Sequence, residues 1–358
     1  MPVIVRSFAK INLGLSIGAL RPDGFHELRT VYQSIALHDI IAVQVEHGSG
    51  IEIFCEDPRV PKDSSNTCYR IVERAMIALG ARGRVAITIG KRLPVQGGLG
   101  AGSGNAVAAL IGLERALKKR LPSTEKLCLA AEVGSDLPLF LVGGTVLGVG
   151  RGEEVYPLPD LPPTVCVVAT PEIGVSTPQA FADWDRMMAG EAAGGSVELC
   201  SAKASPYDFT SSKLRSLPRR SGAPAEPSKL TLQAPSDRMI GLGREVSAWL
   251  SGPLSGVPVR KGRGRAETSL LDLVRTGIEN DFERVVFPKH PELREVKAVL
   301  DREGAFYASL SGSGSALYGL FRSRAAGERA AVRLRRNGIG AVVTATMTRR
   351  QYWQKISD

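Results

Sequence analysis

The chain is poor in cysteine, histidine and aromatic residues, and it lacks a long hydrophobic run. Its 358 residues include five cysteines and four histidines, and 6% of them are aromatic. The cysteines are scattered along the chain, so they fit neither a disulfide framework nor a zinc site. No stretch approaches the roughly 18 uncharged apolar residues that cross a bilayer, and Arg6 and Lys10 interrupt the apolar N-terminus. We therefore expect a cytoplasmic protein with reduced thiols, no signal peptide and no membrane partner.

Positive charge is in excess, and one segment carries most of it. The formal net charge is +10. Between Ser201 and Arg265, 12 lysines and arginines stand against 4 acidic residues. This segment contains no recognisable nucleic-acid-binding module. We interpret it as a basic surface loop, and a nucleic-acid partner is not expected.

The pattern along the chain predicts two domains, at 1–160 and 161–358. From the N-terminus to the start of the second domain, hydrophobic alternation and capping residues predict the following elements: strands up to about residue 55, a helix at 66–80, a strand at 84–89, a helix starting at Ala106, a helix at 123–132 and strands within 145–170. The second domain contains an insertion at about 190–265, rich in Pro, Ser and Gly. Helices follow it, and YASLSGSGSALYGLF then predicts a strand, a glycine turn and a strand.

The strand, glycine-rich loop and helix at 84–118 form the strongest local signal. Successive main-chain N–H groups in such a loop, with a helix N-terminus behind them, bind anions. The loop is not a Walker A motif, because no lysine follows Gly102, and the dinucleotide fingerprint fails at Ser103. The unit therefore predicts a phosphate site of another type.

The segment PVQGGLGAGSGNA resembles the phosphate loop of the GHMP kinases, in the version found in the 4-diphosphocytidyl-2-C-methyl-D-erythritol kinase family. Three further blocks resemble that family in the same order: SFAKINLGLSIGALRPDGFHEL, VGSDLPLFLVGG and ASLSGSGSALYGLF. The resemblance implies an α+β fold with a ribosomal-protein-S5-like N-terminal nucleotide-binding domain and a C-terminal α/β sandwich domain. The active site would lie in the cleft between them.

The same resemblance implies a function. It is the ATP-dependent phosphorylation of the 2-hydroxyl of a cytidyl substrate, 4-diphosphocytidyl-2-C-methyl-D-erythritol, in non-mevalonate isoprenoid biosynthesis. Mg²⁺ would assist, and the enzyme would be a monomer or a homodimer.

Site residues are also implied by the resemblance. Lys10 and Asp136 would be catalytic, and Asn12, Phe25, His26 and Phe181 would bind the substrate. Ser103 would also contact Mg²⁺. The nucleotide site would comprise Asn66, Lys91, Pro94, Val95, Gln96, Gly97, Gly98, Leu99, Gly100, Ala101, Gly102, Ser103, Gly104 and Asn105.

Without the resemblance, simpler interpretations apply to the catalytic candidates. Lys10 would be a solvated lysine on the polar face of a strand, and Asp136 would be a helix N-cap. The chain also departs from the family pattern, because Gly104 stands where the family usually has a second serine. We expect Ser103 to remain as the hydroxyl for the metal, and the Gly104 amide to remain as a phosphate donor.

Three other functions stay open on the sequence. One is a GHMP kinase for homoserine or mevalonate, although the Phe25–His26 pair suits a base better than a small aliphatic alcohol. Another is a non-catalytic protein that binds nucleotide or nucleic acid. The third is a serine acyl-transfer enzyme, since Ser7 and Ser123 each begin a Ser-x-x-Lys motif, but the motifs that should accompany it are absent.

Overall fold

The computed structural model describes residues 1–95, 97–194 and 279–356. Gln96, the basic segment at 201–265 and the first part of the predicted helical run after it lie outside the described residues, and what the sequence predicts for them stays a prediction. Within the described part, no helix is long and apolar enough to cross a membrane. The described residues form two β-sheets with helices packed on them.

The first sheet contains the strands predicted in the N-terminal region. They are β1 (Val3–Leu20), β2 (His26–Glu46), β3 (Gly50–Cys55), β4 (Arg84–Gly90), β5 (Thr145–Val149) and β6 (Glu154–Pro157). The order is β3-β4-β2-β5-β6, and β1 pairs with β2. All pairs are antiparallel except β3 with β4. The strands predicted up to residue 55 and at 84–89 are confirmed.

Strand β1 is buried on both faces from Ser7 to Gly18. One reason is that the second sheet covers it, so that Ile11 and Leu13 pack with Tyr318. Lys10 and Asn12, on the polar face of the sequence pattern, lie beside Gly312, and Gly100 contacts the Lys10 side chain; they are only 3% and 1% exposed. The interpretation of Lys10 as a solvated surface lysine is therefore wrong.

Helices cover the other side of the first sheet. They are α1 (Thr67–Ala78), α2 (Ala101–Leu117), α3 (Ser123–Val133) and α4 (Leu137–Val142). The Asn66 side chain caps α1 by accepting a hydrogen bond from the Cys68 N–H, and left-handed Gly80 follows its end. Helix α2 begins at Ala101 and not at Ala106 as predicted. The first turn was not predicted because it contains glycine and serine, which have low helix propensity. Gly100, in the left-handed conformation, is the N-cap residue of the helix.

The second sheet contains β7 (Val165–Thr170), β8 (Tyr307–Leu310), β9 (Leu317–Phe321) and β10 (Gly340–Ala345). Its order is β10-β7-β9-β8, and every pair is antiparallel. Its helices are α5 (Thr177–Gly194), α6 (Glu283–Lys289), α7 (Pro291–Arg302) and α8 (Arg324–Arg336). The strand–turn–strand unit of YASLSGSGSALYGLF is confirmed, and so are helices in the described part of the run before it.

The two halves meet through a shared apolar cluster that joins β1 to β7 and β9. The first sheet ends at Pro157 and the second begins at Val165, so the predicted boundary at 160 lies between them and stays a prediction. The last helix, α9 (Arg349–Lys355), returns to the first core, where Tyr352 is buried. The predicted α+β class is confirmed.

Candidate active site

The glycine-rich loop between β4 and α2 is held from two sides. On one side the Lys10 N–H donates to the Leu99 carbonyl at 3.0 Å. On the other side the turn after β8 contacts the loop: the Ser311 hydroxyl donates to the Gly98 carbonyl at 3.0 Å and the Ala316 N–H donates to the Gly97 carbonyl at 3.1 Å. Gly98 has φ +80°, and a Cβ there would collide with the Ser311 carbonyl. Gly97, Gly98 and Leu99 of the loop are therefore held between the two sheets.

A cavity of about 370 Å³ opens on this loop. Its wall includes nearly all of the predicted nucleotide-site residues: Asn66, Lys91, Pro94, Val95, Gly97, Gly98, Leu99, Gly100, Ala101, Gly102, Ser103 and Asn105. Sequence reasoning missed a further group that lines it, namely Arg59, Val60, Pro61, Ser65, Thr67, Cys68 and Ile89. These residues precede or begin α1 or lie in β4, and no motif marks them.

Asp39 holds two polar side chains of the cavity wall, Lys91 and Asn105, through hydrogen bonds. It is fully buried, and its carboxylate accepts from Lys91 Nζ at 2.5 Å and from Asn105 Nδ2 at 3.0 Å. It also accepts from the main-chain N–H groups of Arg92 and Leu93. Lys91 and Asn105 are thus fixed in place before any ligand binds. The sequence signal was available, since Asp39 interrupts an apolar strand, but sequence analysis did not use it.

Asn66 lines the same cavity with its amide already engaged. Its Nδ2 donates to the Pro61 carbonyl at 2.6 Å, and its Oδ1 caps α1. Both polar groups of the side chain therefore hold the chain around the cavity.

The expectation for Gly104 is corrected. Position 104 faces β1, where a Cβ would lie 2.9 Å from Ser7 Oγ and 3.0 Å from the Phe8 carbonyl. Gly104 lines neither this cavity nor the larger one described next. Its N–H donates to the Gly100 carbonyl at 2.8 Å, so it is not available to a phosphate. Because a side chain at 104 would point into the protein, the missing serine removes no group from the site.

A larger cavity of about 740 Å³ adjoins the first, and the two share Gly98, Gly100 and Ser103 in their walls. The predicted catalytic and substrate residues all line it: Lys10, Asn12, Phe25, His26, Asp136 and Phe181. These residues come from β1, β2, the turn between these strands, α5 and the segment before α4, so the fold brings together positions that are far apart in the sequence.

Lys10 and Asp136 form a pair at the base of this larger cavity. Lys10 Nζ donates to Asn12 Oδ1 at 2.7 Å and lies 3.6 Å from Asp136 Oδ2. Burial lowers the pKa of Lys10, while the Asp136 carboxylate opposes that shift. Asn12 Nδ2 donates to Thr30 Oγ1 at 2.8 Å, so Asn12 holds Lys10 in addition to lining the cavity.

Asp136 occupies the position before α4, but its side chain makes no capping hydrogen bond there. Its Oδ1 accepts instead from the Tyr32 hydroxyl at 3.0 Å. Burial, and then the Asp136 charge, raise the pKa of Tyr32 well above its usual value, so the hydroxyl remains a donor. The N-cap interpretation of Asp136 does not hold, and Tyr32 is a site residue that the sequence analysis missed.

Aromatic side chains also line the larger cavity. His26 stacks on Phe181 with ring centroids 5.0 Å apart, and its Nε2 lies 2.7 Å from Asp185 Oδ1. Phe25 is half exposed, and the Arg151 guanidinium lies 5.0 Å from its ring centre. Asp185 and Arg151 were also missed, because neither belongs to the blocks on which the resemblance rests.

The donor atoms at the junction of the cavities fit Mg²⁺. Ser103 supplies a hydroxyl and Asp136 a carboxylate in the wall of the same cavity. Mg²⁺ usually binds one or two protein oxygens together with substrate phosphates and water. In the described ranges no group of three or more His, Cys, Asp or Glu side chains could hold a metal by itself. A shared site with nucleotide phosphates is thus the kind of metal site that these residues allow.

Comparison with known proteins assigns the class. The model of the GHMP kinases N terminal domain matches residues 66–144, and the model described as GHMP kinases C terminal matches residues 266–340. With two joined cavities at a glycine-rich loop, the fold and the site define a GHMP kinase, an ATP-dependent small-molecule kinase.

Relatives narrow the class to one family. The 4-diphosphocytidyl-2-C-methyl-D-erythritol kinase of Solibacter usitatus (strain Ellin6076) is 34% identical over 320 residues, which cover 89% of this chain and 81% of the relative. That of Acaryochloris marina (strain MBIC 11017) is 35% identical, over 91% of this chain and 89% of the relative. A crystal structure of 4-(cytidine 5'-diphospho)-2C-methyl-D-erythritol kinase matches with a TM-score of 0.64 and 26% identity, covering 96% of this chain and 98% of that one. The chain belongs to the 4-diphosphocytidyl-2-C-methyl-D-erythritol kinase family.

Proposed function

We propose that the chain transfers the γ-phosphate of ATP to the 2-hydroxyl of 4-diphosphocytidyl-2-C-methyl-D-erythritol, a step of non-mevalonate isoprenoid biosynthesis. One observation carries the proposal: a nucleotide-sized cavity and a larger cavity share Gly98, Gly100 and Ser103, and the larger one contains Lys10 and Asp136. A nucleotide in the smaller cavity and a substrate in the larger one would meet at this junction. The terminal phosphate of the nucleotide would then lie beside the hydroxyl of the substrate. The names of the relatives and their coverage support the choice of alcohol.

In this proposal the phosphates bind at the start of α2. The first N–H groups of a helix have no partner within the helix, and the helix dipole favours an anion there. Intrahelical bonding begins with the N–H of Gly104, so the amides of Ala101, Gly102 and Ser103 are the candidates for contact with phosphate oxygens.

Asp136 and Lys10 have different roles in the reaction of the substrate hydroxyl. Asp136 accepts the proton of the attacking hydroxyl or orients it for in-line attack, while Tyr32 fixes the carboxylate through Oδ1. Lys10 stabilises the negative charge on the transferring group. Phosphoryl transfer depends chiefly on positioning and charge stabilisation, so these few groups are sufficient. Mg²⁺, when bound by Ser103 and Asp136, supplies further charge neutralisation.

At the far end, Phe25, His26 and Phe181 bind the cytosine. The rings offer stacking surfaces and the imidazole offers a hydrogen bond. Homoserine and mevalonate have no ring for these groups to contact. The aromatic end of the cavity therefore favours the cytidyl substrate over the alcohols of other GHMP kinases.

The test is a coupled ADP-release assay. The parent should phosphorylate the cytidyl alcohol in preference to homoserine and mevalonate. Asp136→Ala and Lys10→Ala should each lower kcat by about 10²-fold or more, the usual scale for such groups. A parent that prefers homoserine or mevalonate would refute the substrate, and near-parent rates in either variant would remove that residue from the mechanism.

A cytoplasmic location, in a monomer or a homodimer, belongs to the same proposal. The location is supported by the cysteines, because Cys55, Cys68, Cys128 and Cys166 are all free thiols. Cell fractionation and light scattering of the purified protein test these two points.

A further inference from the structure

Arg151 is a cation in the wall of the larger cavity that the proposed chemistry does not use. The other cation among the described lining residues is Lys10, which Asn12 and Asp136 already hold. Arg151 lies on the turn between β5 and β6, near the aromatic end of the cavity. Its position therefore differs from that of the catalytic pair, and it needs an explanation of its own.

The Arg151 side chain is fixed on two sides. The Glu153 carboxylate accepts from the main-chain N–H of Arg151 at 2.6 Å and from its Nε at 3.0 Å. The central carbon of the guanidinium, Cζ, lies over the Phe25 ring, 5.0 Å from its centre. Within the described ranges the two terminal nitrogens have no hydrogen-bond partner, and the side chain is 30% exposed. The guanidinium is thus held in place with its terminal donors available.

An oriented guanidinium binds phosphate oxygens through two parallel hydrogen bonds. The proposed substrate has a diphosphate between its base and its alcohol. Phe25 marks the base end of the cavity, and Asp136 marks the alcohol end. We infer that Arg151 recognises the diphosphate of the substrate, and that Glu153 and Phe25 hold its guanidinium for this contact. The inference rests on the proposed function, and it assigns Arg151 as a specificity-determining residue.

The charges that line the cavity support this assignment. Lys10 and Arg151 are positive, and Asp136 and Asp185 are negative. The charges of these four residues cancel, and removal of Arg151 would leave them with a net negative charge. A diphosphate would then be repelled, while an uncharged nucleoside would not. Loss of Arg151 should therefore act selectively on charged ligands.

The experiment compares cytidine 5'-diphosphate with cytidine by calorimetric titration. The parent should bind the diphosphate more tightly. Arg151→Met keeps the length of the side chain and removes its charge, and it should weaken diphosphate binding by about 10- to 100-fold. Cytidine binding should change by less than about threefold. Arg151→Lys, which keeps the charge and loses the fork geometry, should lie between the parent and Arg151→Met.

Arg21→Met is the matched control. Arg21 is close to Phe25 in sequence, but its terminal nitrogen Nη1 already donates to Glu27, and it does not line the cavity. This variant should bind both ligands as the parent does. In the kinase assay, Arg151→Met should raise KM for the cytidyl alcohol and leave kcat within about threefold.

Equal loss of diphosphate and cytidine binding in Arg151→Met would overturn the inference, because it indicates a purely structural role. A parent that binds the diphosphate no better than cytidine would also overturn it, whether or not the alcohol is phosphorylated. If only the proposed function is wrong, the result is different: the parent should still bind the diphosphate selectively but should not phosphorylate the cytidyl alcohol. If Arg151→Met does not fold, Arg151→Lys decides, since it must weaken diphosphate binding more than cytidine binding.

Discussion

Lys10 combines burial with a carboxylate neighbour. Its ammonium contacts Asn12 at 2.7 Å and lies 3.6 Å from Asp136. Burial lowers the pKa of Lys10, and the nearby Asp136 reduces that effect without cancelling it. Lys10 therefore releases its proton at a lower pH than an exposed lysine does.

We expect the basic limb of the pH–rate profile to report Lys10. Below its lowered pKa the amine is charged and the rate is at its plateau. As the pH rises through that pKa the charge is lost, and the rate should fall at a pH below about 10.4, the ordinary value for lysine. Measurement of kcat against pH checks this. In Lys10→Arg, which stays charged over the whole range, the limb should disappear.

Tyr32 provides the control for this titration. The pKa of Tyr32 is raised well above its usual value, so Tyr32→Phe should keep a basic limb. Its rate should fall about 3- to 10-fold because a hydrogen bond to Asp136 is lost. An unchanged limb in Lys10→Arg would contradict the prediction. Stability changes in the opposite direction to the rate: the unfolded chain holds the Lys10 proton more tightly, so the free energy of unfolding should rise with pH between the two pKa values.

Single residues of the site were predictable from the sequence only where they stand in a motif. Lys10, His26 and Asp136 were predicted in this way, and the fold brings them to one cavity. Tyr32 and Asp185 were missed, because the contacts that define them join positions 104 and 159 residues apart. Local patterns do not contain such pairings.

At the scale of elements, two glycine-rich turns interlock at the centre of the site. A Cβ at Gly98 would meet the Ser311 carbonyl, and one at Gly314 would lie 2.5 Å from the Gly98 nitrogen. The contact joins the first half of the chain to the second and fixes the position of Gly98 relative to the turn after β8. Both turns were visible in the sequence, but their contact was not.

Gly98→Ala should lower the free energy of unfolding by about 2–4 kcal/mol. The left-handed backbone strains any side chain, and the methyl group would overlap a main-chain oxygen. Gly102→Ala is the control, since the nearest atom to its Cβ is Thr67 Oγ1 at 3.8 Å and its φ is not positive. It should leave stability unchanged or raise it by up to about 1 kcal/mol. Urea unfolding measures both, and equal losses in the two variants would contradict the interlock.

Element boundaries show the limit of sequence reasoning. Helix α1 was predicted almost in full, because Asn66 and Gly80 cap it within the local sequence. Helix α2 was predicted to start late, at Ala106. Its first turn contains residues of low helix propensity, and packing against β1 stabilises it: Gly104 fits against Phe8 only because it has no side chain.

At the scale of the whole molecule, the end of the chain supports the site. Tyr352 in α9 is buried in the first core, and its hydroxyl donates to the Phe140 carbonyl at 2.8 Å. The Phe140 ring in turn lies against Gly100, where a Cβ would approach its Cζ at 2.8 Å. Packing thus connects the last helix to the phosphate loop through α4. The sequence analysis made no prediction for this helix, since a short amphipathic segment does not indicate which core it joins.

Tyr352→Ala should lower the free energy of unfolding by about 3–5 kcal/mol, because it leaves a large cavity beside Phe140. Tyr352→Phe should lose only about 0.5–1.5 kcal/mol, the value of one hydrogen bond. Below its melting temperature, Tyr352→Ala should raise KM for ATP more than KM for the alcohol, because the loosened Phe140 contacts the loop that we propose as the ATP site. Trp353→Ala, at the partly exposed neighbour in the same helix, should leave both KM values near those of the parent. Urea unfolding and initial rates measure these effects. If Trp353→Ala raised KM for ATP as much as Tyr352→Ala does, the effect would belong to the helix as a whole and the path through Phe140 would be wrong.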